Sequence, residues 1–288
     1  MPKTLTIGSL FQLIRLKVSL AVTFSAFAAG VICAGYIHSA FLFPILGIFL
    51  FACGASVLNQ FQEIIFDRRM DRTRNRPLAS GLMSPGKGLL WALLLLSAGI
   101  IVLVLSGKWI CLILGIFNIL WYNGFYIWLK RKTAFAIVPG AFTGAIPVLM
   151  GWSAAGGLIY DRVPWFLAFF IFLWQIPHFW LLMLKYGDEY RDAGLPVLSA
   201  IFSIVQMKRI IIFWLLAASV SSLLLITTIY PRIGLMDISV IILNLALLLL
   251  VIYQLFISRI IKFRVLFASV NIFMLVVLLL LTIESILK

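Results

Sequence analysis

Nine apolar runs, each about the length needed to cross a bilayer, alternate with short polar connections along these 288 residues. They fall at about 16–37, 41–65, 89–107, 109–129, 134–152, 163–184, 210–230, 238–257 and 265–287. A bilayer gives backbone N–H and C=O groups no water to bond, so runs of this length must satisfy them internally as helices. They are too long, and alternate too little, for the strands of an outer-membrane barrel. Composition agrees with lipid as the solvent. Hydrophobic residues make up 64% and charged residues 11%, where soluble domains carry roughly 25% charged. The expected fold is all-α, a polytopic membrane protein of nine transmembrane helices in one bundle. No linker or low-complexity tract interrupts it, so residues 1–288 are expected to form a single transmembrane domain.

The net charge of +14 does not predict nucleic-acid binding, because the basic residues sit between spans and build no soluble basic domain. Sorting them by side gives 19 of 23 Lys and Arg on the face that holds the N-terminus, and only Lys108, Arg162, Arg232 and Lys288 on the other. This asymmetry predicts a cytoplasmic N-terminus, and the expected location is a bacterial cytoplasmic (inner) membrane. The first run follows Lys3, Arg15 and Lys17 and shows no clear cleavage site, so it is expected to remain as a span. Cys33, Cys53 and Cys111 lie in apolar runs and are expected to be small buried hydrophobes.

Six of the nine acidic residues gather in two clusters: Glu63, Asp67 and Asp71, and Asp188, Glu189 and Asp192. Both fall on the basic, cytoplasmic face. Asn59, Glu63, Asp67 and Asp71 follow one another at four-residue steps, which on a helix keeps them on one ridge. That ridge would be about 18 Å long, too long for one ion. It suits a diphosphate carrying one or two Mg²⁺, which takes few carboxylates and completes its shell with water and phosphate. A solvated helix end, with Asp67 and Asp71 paired to nearby arginines, is the alternative. It leaves Asn59 and Glu63, deeper in the apolar run, without a role. After the fourth run, Tyr126, Lys130, Arg131 and Lys132 form either an ordinary cytoplasmic loop or a clamp for phosphate oxygens.

The segment Asn59 to Leu78 resembles the first aspartate-rich motif of the UbiA superfamily of intramembrane prenyltransferases. Asn59, Asp67, Arg72, Thr73, Arg76, Pro77 and Leu78 match it, and Glu63 replaces its middle Asp. Tyr126, Lys130 and Arg131 match the superfamily's Tyr-x-x-x-Lys-Arg element, and the second acidic cluster stands where the superfamily has a second Asp-rich motif. The resemblance implies a bundle around a central cavity, with Mg²⁺ as cofactor on Asn59, Glu63, Asp67, Asp188 and Asp192. It implies diphosphate contacts from Arg72, Arg76, Tyr126, Lys130 and Arg131, with Asp67, Glu63 and Lys130 as catalytic residues.

Three further segments are similar to the heme O synthase branch: Trp128–Trp152, Trp174–Trp180 and Tyr190–Pro196. Ala136, Pro139 and Glu189 depart from that branch's pattern. This similarity implies farnesyl diphosphate as donor, the vinyl group of heme b as acceptor, and heme-pathway or oxidase-assembly membrane proteins as neighbours in the bilayer. It gives His178 a heme-facing role, against the alternative of a hydrogen-bonded core histidine beside Trp180. A small aromatic acceptor, hydroxybenzoate or naphthoate, is the second expectation. A transporter of an anionic metabolite is the third, and it fits less well because the acids lie near one surface rather than the midplane.

Overall fold

The computed structural model describes residues 6–229 and 234–287. Lys3, Arg232 and Lys288 of the charge tally, and Tyr230 at the end of the expected seventh span, lie outside the described residues. Among the described residues nine helices are long and apolar enough to cross a membrane. They run Leu16–Ala34, Ser39–Gln62, Pro85–Leu105, Trp109–Lys130, Ala134–Ala154, Arg162–Asp192, Ile204–Ile229, Asp237–Ile257 and Phe263–Leu287. No strand occurs among the described residues. Cys53 and Cys111 are buried, Cys33 is half-buried, and all three are free thiols.

Two spans differ informatively from their expected bounds. The second ends at Gln62, because Glu63 leaves the helical region (φ −106°, ψ 10°) before a short helix resumes over Ile64–Arg69. The ridge from Asn59 to Asp71 is therefore not one continuous helix. The sixth runs to Asp192, eight residues past its expected end, and stops where Gly194 takes φ +87°. A glycine just beyond a helix adopts this left-handed conformation at no steric cost.

Small residues let the central helices touch backbone to backbone. Gly151 of the fifth span meets Ala26 of the first so closely that an added Cβ would sit 1.8 Å from the Ala26 carbonyl oxygen. Gly30 is equally confined, by the Phe41 ring at 2.0 Å. Without a hydrophobic force between helices in lipid, such close packing is a main source of association. Gly151→Val is expected to push the first and fifth spans apart and cost about 3 kcal/mol, the upper end of the usual overpacking range, read as a lower thermal midpoint of the purified protein.

The best-buried core lies between the fifth, sixth, seventh and ninth spans, around Val148, Leu167, Phe170, Leu215 and Phe273. The third span turns Leu90, Leu93, Leu94 and Ile101 outward, as a lipid-facing helix should. The first, second, fourth, fifth, sixth and ninth spans surround a central cavity of about 970 Å³.

Candidate active site

The mouth of the cavity is built by segments that leave regular α-helix. The break at Glu63 aims that carboxylate inward, where its Oε1 accepts from Lys130 Nζ at 2.6 Å. Both side chains are largely buried. One turn later both oxygens of Asp67 accept from Arg76 Nη1, at 2.9 and 2.8 Å. Asp67 is itself anchored, since Thr73 Oγ1 donates to its backbone carbonyl. This is the physical content of the Arg-Thr-x-x-Arg spacing: Thr73 folds the turn back and Arg76 closes on the acid. Asn59 lies buried one turn deeper, and its Oδ1 has no partner.

The fourth span contains a π-helical stretch, Leu120–Tyr126. Wide turns of this kind recur at functional sites. Here the wide turn is locked by Asn123, whose Nδ2 donates to the Ala55 carbonyl and to Gln62 Oε1, both at 3.1 Å. It brings Tyr122, Tyr126 and Lys130 to the cavity wall, with the two phenol rings stacked at 5.7 Å. Tyr126 in turn rests on Gly140, where a Cβ would lie 2.5 Å from the ring.

Arg15 was expected only as a positive-inside charge, and the structure places it in the cavity wall. It precedes the first span in a left-handed conformation (φ 47°, ψ 52°), and its Nη1 approaches the Tyr122 hydroxyl at 3.4 Å. Its Nε is buried without a partner. Burial alone would lower the Arg15 guanidinium, but Tyr122, Glu63 and Asp67 outweigh it and hold the group above its ordinary value. Burial would likewise raise the Glu63 carboxyl; Lys130, Arg15 and Arg76 reverse this and keep it below the ordinary carboxylate value. Burial and neighbouring Arg15 lower the Arg76 guanidinium, against the opposing pull of Asp67. The site is thus a compact set of charges of both signs, held out of water.

The second acidic cluster needs correction. Asp188 and Asp192 do not face the first motif. Their side chains are 81% and 72% exposed and, among the described residues, pair only with Arg191. The cause is helical phase. Lys185, Tyr186 and Tyr190 line the cavity, and a residue two positions from Tyr186 on the same helix points to the opposite side. The acid that crosses to the first motif is Glu189, whose Oε2 accepts from the Arg72 backbone N–H at 3.2 Å. Arg72 also donates to the Tyr190 hydroxyl at 2.7 Å. Arg131 too lies apart from the expected clamp. It is exposed, donates to the Gln62 carbonyl and stacks over Phe66. Asp71 is exposed and paired with Arg74. The variants Asp188→Asn and Asp192→Asn are accordingly expected to change turnover less than about twofold, because exposed ion pairs contribute little; steady-state product formation checks this.

Deeper in the cavity, His178 packs against Trp174, Phe179 and Phe267, with ring centroids 4.7–5.3 Å away. Its Nδ1 is buried without a partner. Trp180, expected beside it, points elsewhere and packs near Phe202. Asn118 Oδ1 and Gln175 Oε1 are also buried, unpartnered and part of the cavity wall. Buried polar atoms normally find partners, so their concentration here marks a chamber built for a guest.

The UbiA prenyltransferase family model matches residues 19–260. The chain is a member of the UbiA family. Among its relatives are proteins named protoheme IX farnesyltransferase. That of Geobacter sulfurreducens is 35% identical over 78% of this chain and 81% of its own length. That of Nitratidesulfovibrio vulgaris strain DP4 is 36% identical over 76% of each. Solved UbiA structures share the fold. A digeranylgeranylglyceryl phosphate synthase aligns with TM-score 0.73 at 18% identity, covering 98% of this chain and 99% of the other. A homologue from Archaeoglobus fulgidus, bound to DMAPP and Mg²⁺, aligns with TM-score 0.70 at 11% identity, covering 96% and 99%. The protein is an integral membrane prenyltransferase of this family.

The residues at the mouth fit a magnesium ion. Asn59 Oδ1 is an orphaned buried oxygen in the same cavity wall as Glu63 and Asp67. Among the described residues no group of three or more His, Cys, Asp or Glu gathers to cage a metal. A few protein oxygens, with phosphate and water completing the shell, are the usual arrangement for Mg²⁺.

Proposed function

We propose that this chain transfers the farnesyl group of farnesyl diphosphate to the vinyl group of heme b, forming heme O. The observation that carries this is the junction, in one cavity, of a charged mouth suited to a diphosphate and an aromatic chamber holding His178 with a free ring nitrogen. The names of the relatives point the same way.

Asn59, Glu63 and Asp67 would hold Mg²⁺. When bound, the ion neutralises charge growing on the departing pyrophosphate. Lys130, Arg76, Arg72 and Arg15 supply donors to the phosphate oxygens, and Tyr126 sits next to Lys130. Lys130 and Arg76 rest on carboxylates until the donor arrives, so the mouth is organised beforehand and little reorganisation is needed during reaction. The C1–O bond of the donor breaks, its electron pair leaves with pyrophosphate, and C1 becomes an allylic cation. The stacked Tyr122 and Tyr126 rings offer their faces to that cation. The vinyl carbon then bonds to C1, which moves the positive charge to the carbon beside the porphyrin ring. Water adds there and loses a proton, giving the hydroxyethylfarnesyl group. His178 Nδ1, the ring nitrogen without a partner, would hold the heme iron and set which vinyl group reaches C1. The excess of Lys and Arg supports a cytoplasmic mouth, and the bacterial relatives support an inner membrane.

The test is incubation of the reconstituted protein with labelled farnesyl diphosphate, Mg²⁺ and either heme b or hydroxybenzoate, followed by mass spectrometry. Labelled heme O without a labelled aromatic acid is the expected product. The reverse would transfer the assignment to quinone chemistry.

A further inference from the structure

We propose that Lys185 and Arg264 form a carboxylate-binding rim that receives the propionates of the porphyrin acceptor while its iron stands at His178. The inference rests on the heme acceptor assigned above and adds the site's second recognition element. Both side chains line the cavity. Both are exposed at its mouth. Among the other cations of the wall, Arg15 donates to the Tyr122 hydroxyl. Lys17, like these two, has no carboxylate within ion-pair distance among the described residues, but it lies on the first span, whereas His178 and its aromatic neighbours are on the sixth and ninth. Lys130 and Arg76 are held by carboxylates, and Arg72 is held by Tyr190. Among the described residues no carboxylate lies within ion-pair distance of Lys185 or Arg264. The diphosphate set is complete without them.

Their register fits one flat ligand. His178 and Lys185 are seven residues apart on the sixth span, and Asn271 and Arg264 are seven apart on the ninth. Seven residues return to nearly the same helix face and climb about 10 Å, comparable to the reach from a porphyrin's centre to its propionate carboxylates. The two helices run in opposite directions, so Lys185 and Arg264 share the mouth while His178 and Asn271 share the deeper level. An aromatic strip connects the levels. Lys185 Nζ lies 4.6 Å from the Phe263 ring, Phe263 stacks on Phe267 at 5.4 Å, and Phe267 meets His178 at 4.7 Å. A planar macrocycle laid on this strip would place its acidic edge at the two cations and its metal at the imidazole. Esterified or decarboxylated porphyrins would lose the upper contact only.

The test titrates the purified protein in lipid nanodiscs with ferric heme b and with its dimethyl ester, following the Soret band. Wild type is expected to bind heme b at least about tenfold more tightly than the ester, the usual weight of hydrogen bonds to charged groups. The double variant Lys185→Gln/Arg264→Gln should lose that preference by weakening heme b alone, with ester binding reporting an intact chamber. Equal affinity of wild type for the two ligands, or a preference that survives in the variant, would overturn the propionate rim. The wild-type comparison decides the matter by itself if the variant does not fold. A wild type that shifts the Soret band of neither ligand would remove the heme acceptor itself, a different failure from loss of the ester preference.

Discussion

Asp67→Asn is expected to lower farnesyl transfer by about 10²–10³-fold, the loss typical when one charge-stabilising group is removed from a reacting centre. Asparagine keeps the shape and one acceptor oxygen for Arg76 but removes the charge that holds metal and guanidinium together. Alanine is the poorer probe. It would leave Arg76, only 20% exposed, without its carboxylate, and breaking a buried pair this way costs about 3–5 kcal/mol. Pyrophosphate release in the presence of saturating Mg²⁺ is the readout, with the thermal midpoint followed in parallel. Wild-type release from Asp67→Asn would remove the first motif from the chemistry.

Lys130→Ala is expected to cut turnover by about 10²-fold or more and to change how stability depends on pH. In the wild type, burial pushes the Glu63 carboxyl up and Lys130, with Arg15 and Arg76, pulls it below its ordinary value of 4.5. A carboxyl depressed on folding stabilises the protein above its unfolded value and loses that contribution as pH falls through the folded one. Without Lys130 only Arg15 and Arg76 still oppose burial, so the depression shrinks and the variant should lose less stability than wild type as pH falls. Thermal midpoints between about pH 4 and 7 measure the difference. Arg131→Ala, one residue along, removes an exposed side chain that touches the Gln62 carbonyl and Phe66, and should show neither effect.

The spans were legible because bilayer thickness imposes one length on every crossing, and apolar run length reads it directly. The first motif was legible because Asn59, Glu63 and Asp67 are costly at their depth and therefore informative. What escaped was phase. Asp188 and Asp192 were placed at the mouth because their loop was placed there, whereas the sixth helix continues to Asp192 and turns both acids outward. Only knowledge that the helix persists could have selected Glu189, Tyr186 and Tyr190. Arg15 escaped for a related reason. Its left-handed backbone redirects a charge that composition assigns to the membrane surface. The ninth span carried no recognisable motif, yet it supplies Phe263, Phe267 and Asn271 to the chamber.

The widened turn over Leu120–Tyr126 makes the mouth sensitive to chain length as well as to side-chain chemistry. Removing any one residue there would restore ordinary winding with the flanking turns nearly in phase, but would flatten the bulge that Asn123 locks and re-aim Tyr122 and Tyr126 within it. Substitutions at its outward-facing positions should therefore be tolerated where a single-codon deletion is not, and inheritance of this stretch is constrained in number before it is constrained in kind.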